Sequence, residues 1–128
     1  MKGSAKYLYA VSGLLYILIG LSISFYPQET GRIFGTASQY GVDLLLMKIV
    51  GALVFAFGVT NIMVWRAGSA SKAITLGNAM MALIISGQFL KFILSQDGVG
   101  GHFWVVTSIF SFITIGFIFT FFTSSTSL

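Results

Sequence analysis

Apolar and polar positions alternate along this chain in long blocks, not residue by residue. Four apolar stretches run at about 7–26, 44–65, 73–94 and 103–122, separated by short polar segments. Each is about 20 residues long, the length an α-helix needs to cross the roughly 30 Å hydrocarbon core of a bilayer. The pattern predicts an all-α chain: an antiparallel four-helix transmembrane bundle with a short interfacial helix after the first span. The whole of 1–128 reads as a single integral membrane domain.

The polar segments set the connections. The longest covers 27–43. Pro27 suits the first turn of a short helix, where its missing N–H costs nothing, and Gly35 suits a left-handed cap that ends it. Ile33 and Phe34 are expected to dip into the membrane surface, with Glu29 and Arg32 facing water. The segment 36–41 reads as a polar loop. The second connection, 66–72, holds Gly68, Ser69 and Ser71 between Arg66 and Lys72. It predicts a tight turn, which makes the second and third spans antiparallel neighbours. The third, 95–102, holds Gln96, Asp97 and glycines 98, 100 and 101, and predicts another hairpin. The uncharged tail 123–128 is expected to fray. At the start, Lys2 and Lys6 precede an apolar run, as in a secretory leader. The run exceeds the usual ~7–15 residues, and Ser22-Ile23-Ser24 is a poor cleavage site, so the segment reads as a retained first span.

Composition strengthens this picture. Hydrophobic residues make up 56% of the chain and charged residues 8%, against about 25% charged in a soluble domain. Mean hydropathy is +0.95. The net charge of +4 comes from Lys2, Lys6, Arg32, Lys48, Arg66, Lys72 and Lys91, which flank the apolar stretches and form no patch. A nucleic-acid partner is therefore not expected. With the N-terminus inside, the Lys/Arg count is four inside and three outside. That bias favours an inner-membrane protein with both termini in the cytoplasm. Tyr7, Tyr26, Tyr40, Trp65 and Trp104 fall near the expected interfaces, where amphipathic rings settle. The absence of cysteine excludes disulfides, thiolate catalysis, iron–sulfur clusters and cysteine-bound zinc.

Within the spans, small residues recur on one face. Gly20 lies about 20° from Gly13 at ~100° per residue, and Ser24 is equally close to Gly13 on the other side. The second span carries Gly51 and Gly58 at the same spacing. The two segments match at an offset of 38 residues (Gly13 to Gly51, Gly20 to Gly58), with Ser22 or Thr60 following. This is a weak internal repeat. Small faces let membrane helices approach closely, either within one bundle or at a homo-oligomer or partner-subunit interface. The fourth span holds seven of the 13 phenylalanines, distributed around the helix. Lipid contact and bundle packing account for such a distribution. A greasy surface for pigment, quinone or a large partner is the sharper alternative.

Ionisable groups inside a bilayer mark function because burying them is costly. Few are present. Lys91 lies a turn from the end of its span, with Gln88 one turn before it, as an interfacial anchor pair or an anionic-ligand contact. Asn61 and Asn78 are deeper, at similar depth on neighbouring spans, suited to an interhelical hydrogen bond or a ligand. Thr75, Asn78 and Ser86 share a face, and Thr107, Ser111 and Thr114 share another, but no polar stripe crosses the bilayer. The three carboxylates, Glu29, Asp43 and Asp97, lie outside or at the edges of the spans, which argues against a proton relay. His102 is the only histidine; with Asp97 alone it makes no closed metal site. No triad, nucleophile elbow or phosphate loop is present. The chain therefore reads as a non-enzyme with no cofactor and no metal of its own.

The stretches Ser12-Gly13-Leu14-Leu15-Tyr16-Ile17-Leu18-Ile19-Gly20 and 48–58, from Lys48 through Gly51 to Gly58, resemble small bacterial four-helix membrane proteins of the DoxX-like group. The resemblance covers about half the chain. It implies a four-helix membrane bundle and, for DoxX itself, an accessory role beside a redox partner. It carries over no catalytic residue. The expected function is a non-catalytic small subunit of a larger membrane complex, giving packing, assembly or cofactor and lipid enclosure. Its partners would be membrane lipids and either other membrane subunits or further copies of itself. The alternative is a small homo-oligomeric transporter or channel with Asn61, Asn78, Gln88 or Lys91 near its path.

Overall fold

The computed structural model describes residues 3–33, 41–95 and 101–123. All of the secondary structure among them is helical: α1 (Gly3–Phe25), α2 (Pro27–Ile33), α3 (Gly41–Ala67), α4 (Lys72–Ser95) and α5 (Gly101–Thr123). The all-α class, the four long apolar helices and the short helix after the first match the sequence pattern. The membrane-length portions are Ala5–Phe25, Leu45–Ala67, Lys72–Ser95 and Gly101–Thr123. By length and composition the protein is multi-pass. Expectations for Phe34, Gly35, Tyr40, Gln96, Asp97, Gly98, Gly100 and the tail after Thr123 lie outside the described residues. So do those for the side chains of Arg32, Ile33 and Asp43.

Helices α3 and α5 begin earlier than their apolar stretches, at Gly41 and Gly101. Apolarity reports where the hydrocarbon ends. The backbone ladder continues beyond that edge, because helical hydrogen bonds need no apolar side chain.

Local chemistry explains the element ends. Pro27 lacks an N–H and disfavours helical backbone in Tyr26 before it, so α1 breaks there. The break is bridged: Tyr26 N donates to Ser22 O (2.9 Å) and Thr30 N to Tyr26 O (3.0 Å). The Thr30 hydroxyl also donates to Ser22 O (3.1 Å). Helix α3 stops at Gly68, the only described residue with a positive φ (75°), as a left-handed cap requires. Three residues later Ser71 caps α4, its Oγ accepting from Ile74 N (3.2 Å).

The chain divides into two compact units, Tyr9–Arg66 and Met1–Leu8 with Ala67–Leu128. In the first, α1 and α3 run antiparallel: Gly13 lies against Gly58 and Ile62, and Gly20 against Gly51 and Phe55. In the second, α4 and α5 run antiparallel. Phe89 packs against Phe103 and Phe110, with ring centroids 6.1 and 6.5 Å apart. At the other end the Lys72 ammonium sits 5.6 Å from the Phe121 ring centre. The first turns of α1 belong to this unit, where the Leu8 side chain lies over Gly116.

Candidate functional site

The small residues of α1 and α3 form one line of backbone contact. A Cβ on Gly20 would stand 2.5 Å from Phe55 N and 2.6 Å from Gly51 O. One on Gly51 would stand 2.6 Å from Ser24 N and 2.7 Å from Gly20 O. One on Gly58 would stand 2.7 Å from Ile17 N and 2.8 Å from Gly13 O. Gly13 differs, because its nearest neighbour is a side-chain atom, Ile62 Cγ1, at 2.9 Å. All five small residues singled out in the sequence thus meet inside one helix pair. The glycine faces are occupied within the chain, which removes them as an argument for an outside partner.

These contacts repeat under exchange of the two helices. Shifting by the 38-residue offset turns the contact of Gly20 with Phe55 and Gly51 into that of Gly58 with Ile17 and Gly13. The same shift relates two hydroxyl bonds, Ser22 Oγ to Leu18 O (2.7 Å) and Thr60 Oγ1 to Ala56 O (2.9 Å). The interface is therefore isologous, like that of a two-fold dimer, but built from one chain. The weak sequence repeat is the trace of this symmetry.

Beside the glycine line lies a buried polar patch. Asn61 on α3 is fully buried, and its Nδ2 donates to Ser12 Oγ on α1 (3.1 Å). Ser12 Oγ in turn donates to Tyr9 O (3.4 Å). Tyr9 and Tyr16 are buried on the same side of α1. Sequence reasoning missed Ser12 as a partner. Its signal was a hydroxyl next to Gly13, where close approach leaves room for a short polar side chain.

In the α4–α5 unit, Asn78 is buried and its Nδ2 donates to Ile74 O (3.0 Å). Thr75 and Ser86, on the same face, are buried and donate to Ser71 O (3.1 Å) and Leu83 O (3.0 Å). Gln88 and Lys91 are exposed on a different face of α4. On α5, Thr107, Ser111 and Thr114 each donate to the carbonyl four residues back, at 2.7 Å. Such back-bonds occupy the hydroxyl proton within its own helix.

The phenylalanines of α5 divide by face. Phe103, Phe110 and Phe117, seven apart, are buried, while Phe112, Phe119 and Phe122 are exposed, at 75%, 65% and 78%. Trp104 and Tyr26 are exposed near helix ends. A trough of about 300 Å³ runs along the seam of α4 and α5, between Leu90 and the Trp104–Ile115 side of α5. His102 is exposed in the first turn of α5. Among the described residues, no three His, Cys, Asp or Glu side chains gather as metal ligands. No protein-family model, curated protein or solved structure matches the chain.

Proposed function

We propose that this protein is a non-catalytic small subunit of a larger integral membrane complex, contributing packing, assembly, or the enclosure of a lipid or cofactor. The observation that carries this reading is the contrast between its polar and apolar side chains. The intramembrane polar groups, Asn61 with Ser12 and the hydroxyls of α4 and α5, make hydrogen bonds within their own helix or helix pair. The large apolar groups, Phe112, Phe119 and Phe122 among them, point outward. A chain of this kind has little to offer a reacting or permeating solute and much to offer an apolar neighbour. The DoxX-like resemblance of α1 and α3 points the same way, toward an accessory role. We place the protein in the inner membrane with both termini in the cytoplasm, on the four-to-three Lys/Arg bias.

Solubilisation from native membrane in mild detergent, followed by native mass measurement, tests the reading. The expected result is a particle heavier than the chain that contains another membrane protein. A monodisperse lone chain with no co-purifying protein overturns it. Flux across liposomes reconstituted with the purified chain would instead favour a small homo-oligomeric transporter, with Gln88 and Lys91 as the first residues to substitute.

A further inference from the structure

We propose that the end of the protein bearing Lys6, Arg66 and Lys72 selects anionic phospholipids through their headgroup phosphates, and that the opposite end does not. This rests on the reading of the chain as four membrane spans. It goes further by assigning a lipid class to one side of the membrane.

Four crossings put the N-terminus and the α3–α4 turn on one side, and α2 with the α4–α5 connection on the other. All three carboxylates belong to the second side, each near a cation in sequence: Glu29 is three positions from Arg32, Asp43 five from Lys48 and Asp97 six from Lys91. On the first side stand Lys2, Lys6, Arg66 and Lys72. The nearest carboxylate in sequence to any of these four is 23 positions away, across a span. The formal side-chain charge is thus +4 on one side and zero on the other. A Lys/Arg count of four against three conceals this difference, because it leaves the carboxylates out.

Depth selects the class of anion. Lys6 and Arg66 lie one residue inside the membrane-length portions Ala5–Phe25 and Leu45–Ala67, and Lys72 is the first residue of Lys72–Ser95. These charges therefore stand at the level of the headgroups. Beyond that level the chain offers an acidic soluble partner little, since 67–71 and 123–128 contain no charged residue. Exposed rings adjoin two of the cations, Tyr7 beside Lys6 and Trp65 beside Arg66, and such rings settle at headgroup depth.

The cations are also within reach of a headgroup. Lys6 and Arg66 are exposed. Lys72 is half-buried, its ammonium 5.6 Å from the Phe121 ring centre. An ammonium has three N–H donors, so one turned to a ring leaves others for a phosphate oxygen. The three cations belong to three helix ends and form no patch, so each meets a headgroup of its own. With the termini in the cytoplasm they face the leaflet that is richer in anionic lipid.

Native mass measurement of the lipids retained by the full-length chain in mild detergent tests this. The chain is mixed with equal amounts of phosphatidylglycerol and phosphatidylcholine. The expected result is retention roughly five-fold in favour of phosphatidylglycerol, the size of one cation's effect near a membrane. The triple variant Lys6→Gln, Arg66→Gln, Lys72→Gln should bring the ratio close to one. The double variant Lys48→Gln, Lys91→Gln should leave it unchanged. Glu29→Gln with Asp43→Asn and Asp97→Asn uncovers the cations of the other end, and should raise the number of phosphatidylglycerol molecules retained. This last arm keeps the native cations and decides the matter if the triple glutamine variant loses helicity. Equal retention of the two lipids overturns the proposal. So does a loss of preference in the Lys48, Lys91 variant as large as in the triple variant, or no gain on removal of the carboxylates. None of these outcomes depends on a partner subunit. A chain that stays soluble without detergent and retains neither lipid sinks the membrane reading itself, and the proposal with it.

Discussion

At the residue scale, two kinds of glycine are present and they should respond differently to substitution. Gly20, Gly51 and Gly58 face backbone atoms at 2.5–2.8 Å from where a Cβ would sit, and backbone cannot rotate aside. Gly20→Ala is expected to destabilise by about 1–3 kcal/mol, the usual cost of overpacking. Gly87, with nothing within 4 Å of a Cβ, should accept alanine with no loss, and a gain of up to about 1 kcal/mol is expected from helix propensity. Thermal unfolding in detergent, followed by circular dichroism, compares the two directly. If Gly20→Ala is as stable as Gly87→Ala, the close approach of α1 and α3 is wrong. Asn61 and Ser12 invite a double-mutant cycle. Their coupling is expected at about 0.6 kcal/mol, with ~1.7 as an upper bound for such bonds in membranes. A coupling of zero would mean the bond does not form in the bilayer. The candidate residues themselves were legible in the sequence, because a polar or small residue stands out in an apolar run. Their partners were not: Ser12 is 49 positions from Asn61, and nothing local encodes a pairing across that distance.

At the scale of the element, helix number and rough extent were legible, since apolar run length measures the bilayer. The ends were less so, because they depend on caps and breaks, not on hydropathy. Gly68 and Ser71 were readable as turn formers, but Ser71 as the α4 cap is seen only in its bond to Ile74 N. Ser71→Ala should cost about 1 kcal/mol and increase amide exchange in the first turn of α4, with the rest of the helix unchanged. The repeat supplies a sharper test. Gly20→Ala and Gly58→Ala occupy equivalent positions, so their costs should agree within a few tenths of a kcal/mol. Gly13 and Gly51 are also equivalent by sequence offset, but Ile62 stands where the other half has Ser24. Gly13→Ala meets a side chain that can turn aside, and Gly51→Ala meets an amide nitrogen. The first should be the milder by a margin outside error in the same melts.

At the scale of the whole molecule, the proposed orientation rests on charge and can be tested through it. Substituting Arg66 and Lys72 with glutamine changes the Lys/Arg count from four against three to two against three. The expected outcome is a mixed or inverted population. The absence of cysteine makes the measurement clean: Ser127→Cys is then the single thiol, and an impermeant maleimide reports its side. An unchanged single orientation would show that charge is not the determinant. Orientation also bears on the isologous contact between α1 and α3. A surface that fits its own copy invites pairing between molecules as soon as the first span has been synthesised. The contact is antiparallel, however, and two chains inserted the same way present their first spans parallel. In the membrane, a newly made α1 therefore finds no match on a sister chain's α1. The nearest antiparallel match is the next long span of its own polypeptide, tethered at high effective concentration. Uniform insertion would thus favour pairing within the chain over pairing between first spans of sister chains. A cell that inserted this chain in both directions would lose that protection and fill its membrane with mispaired first helices.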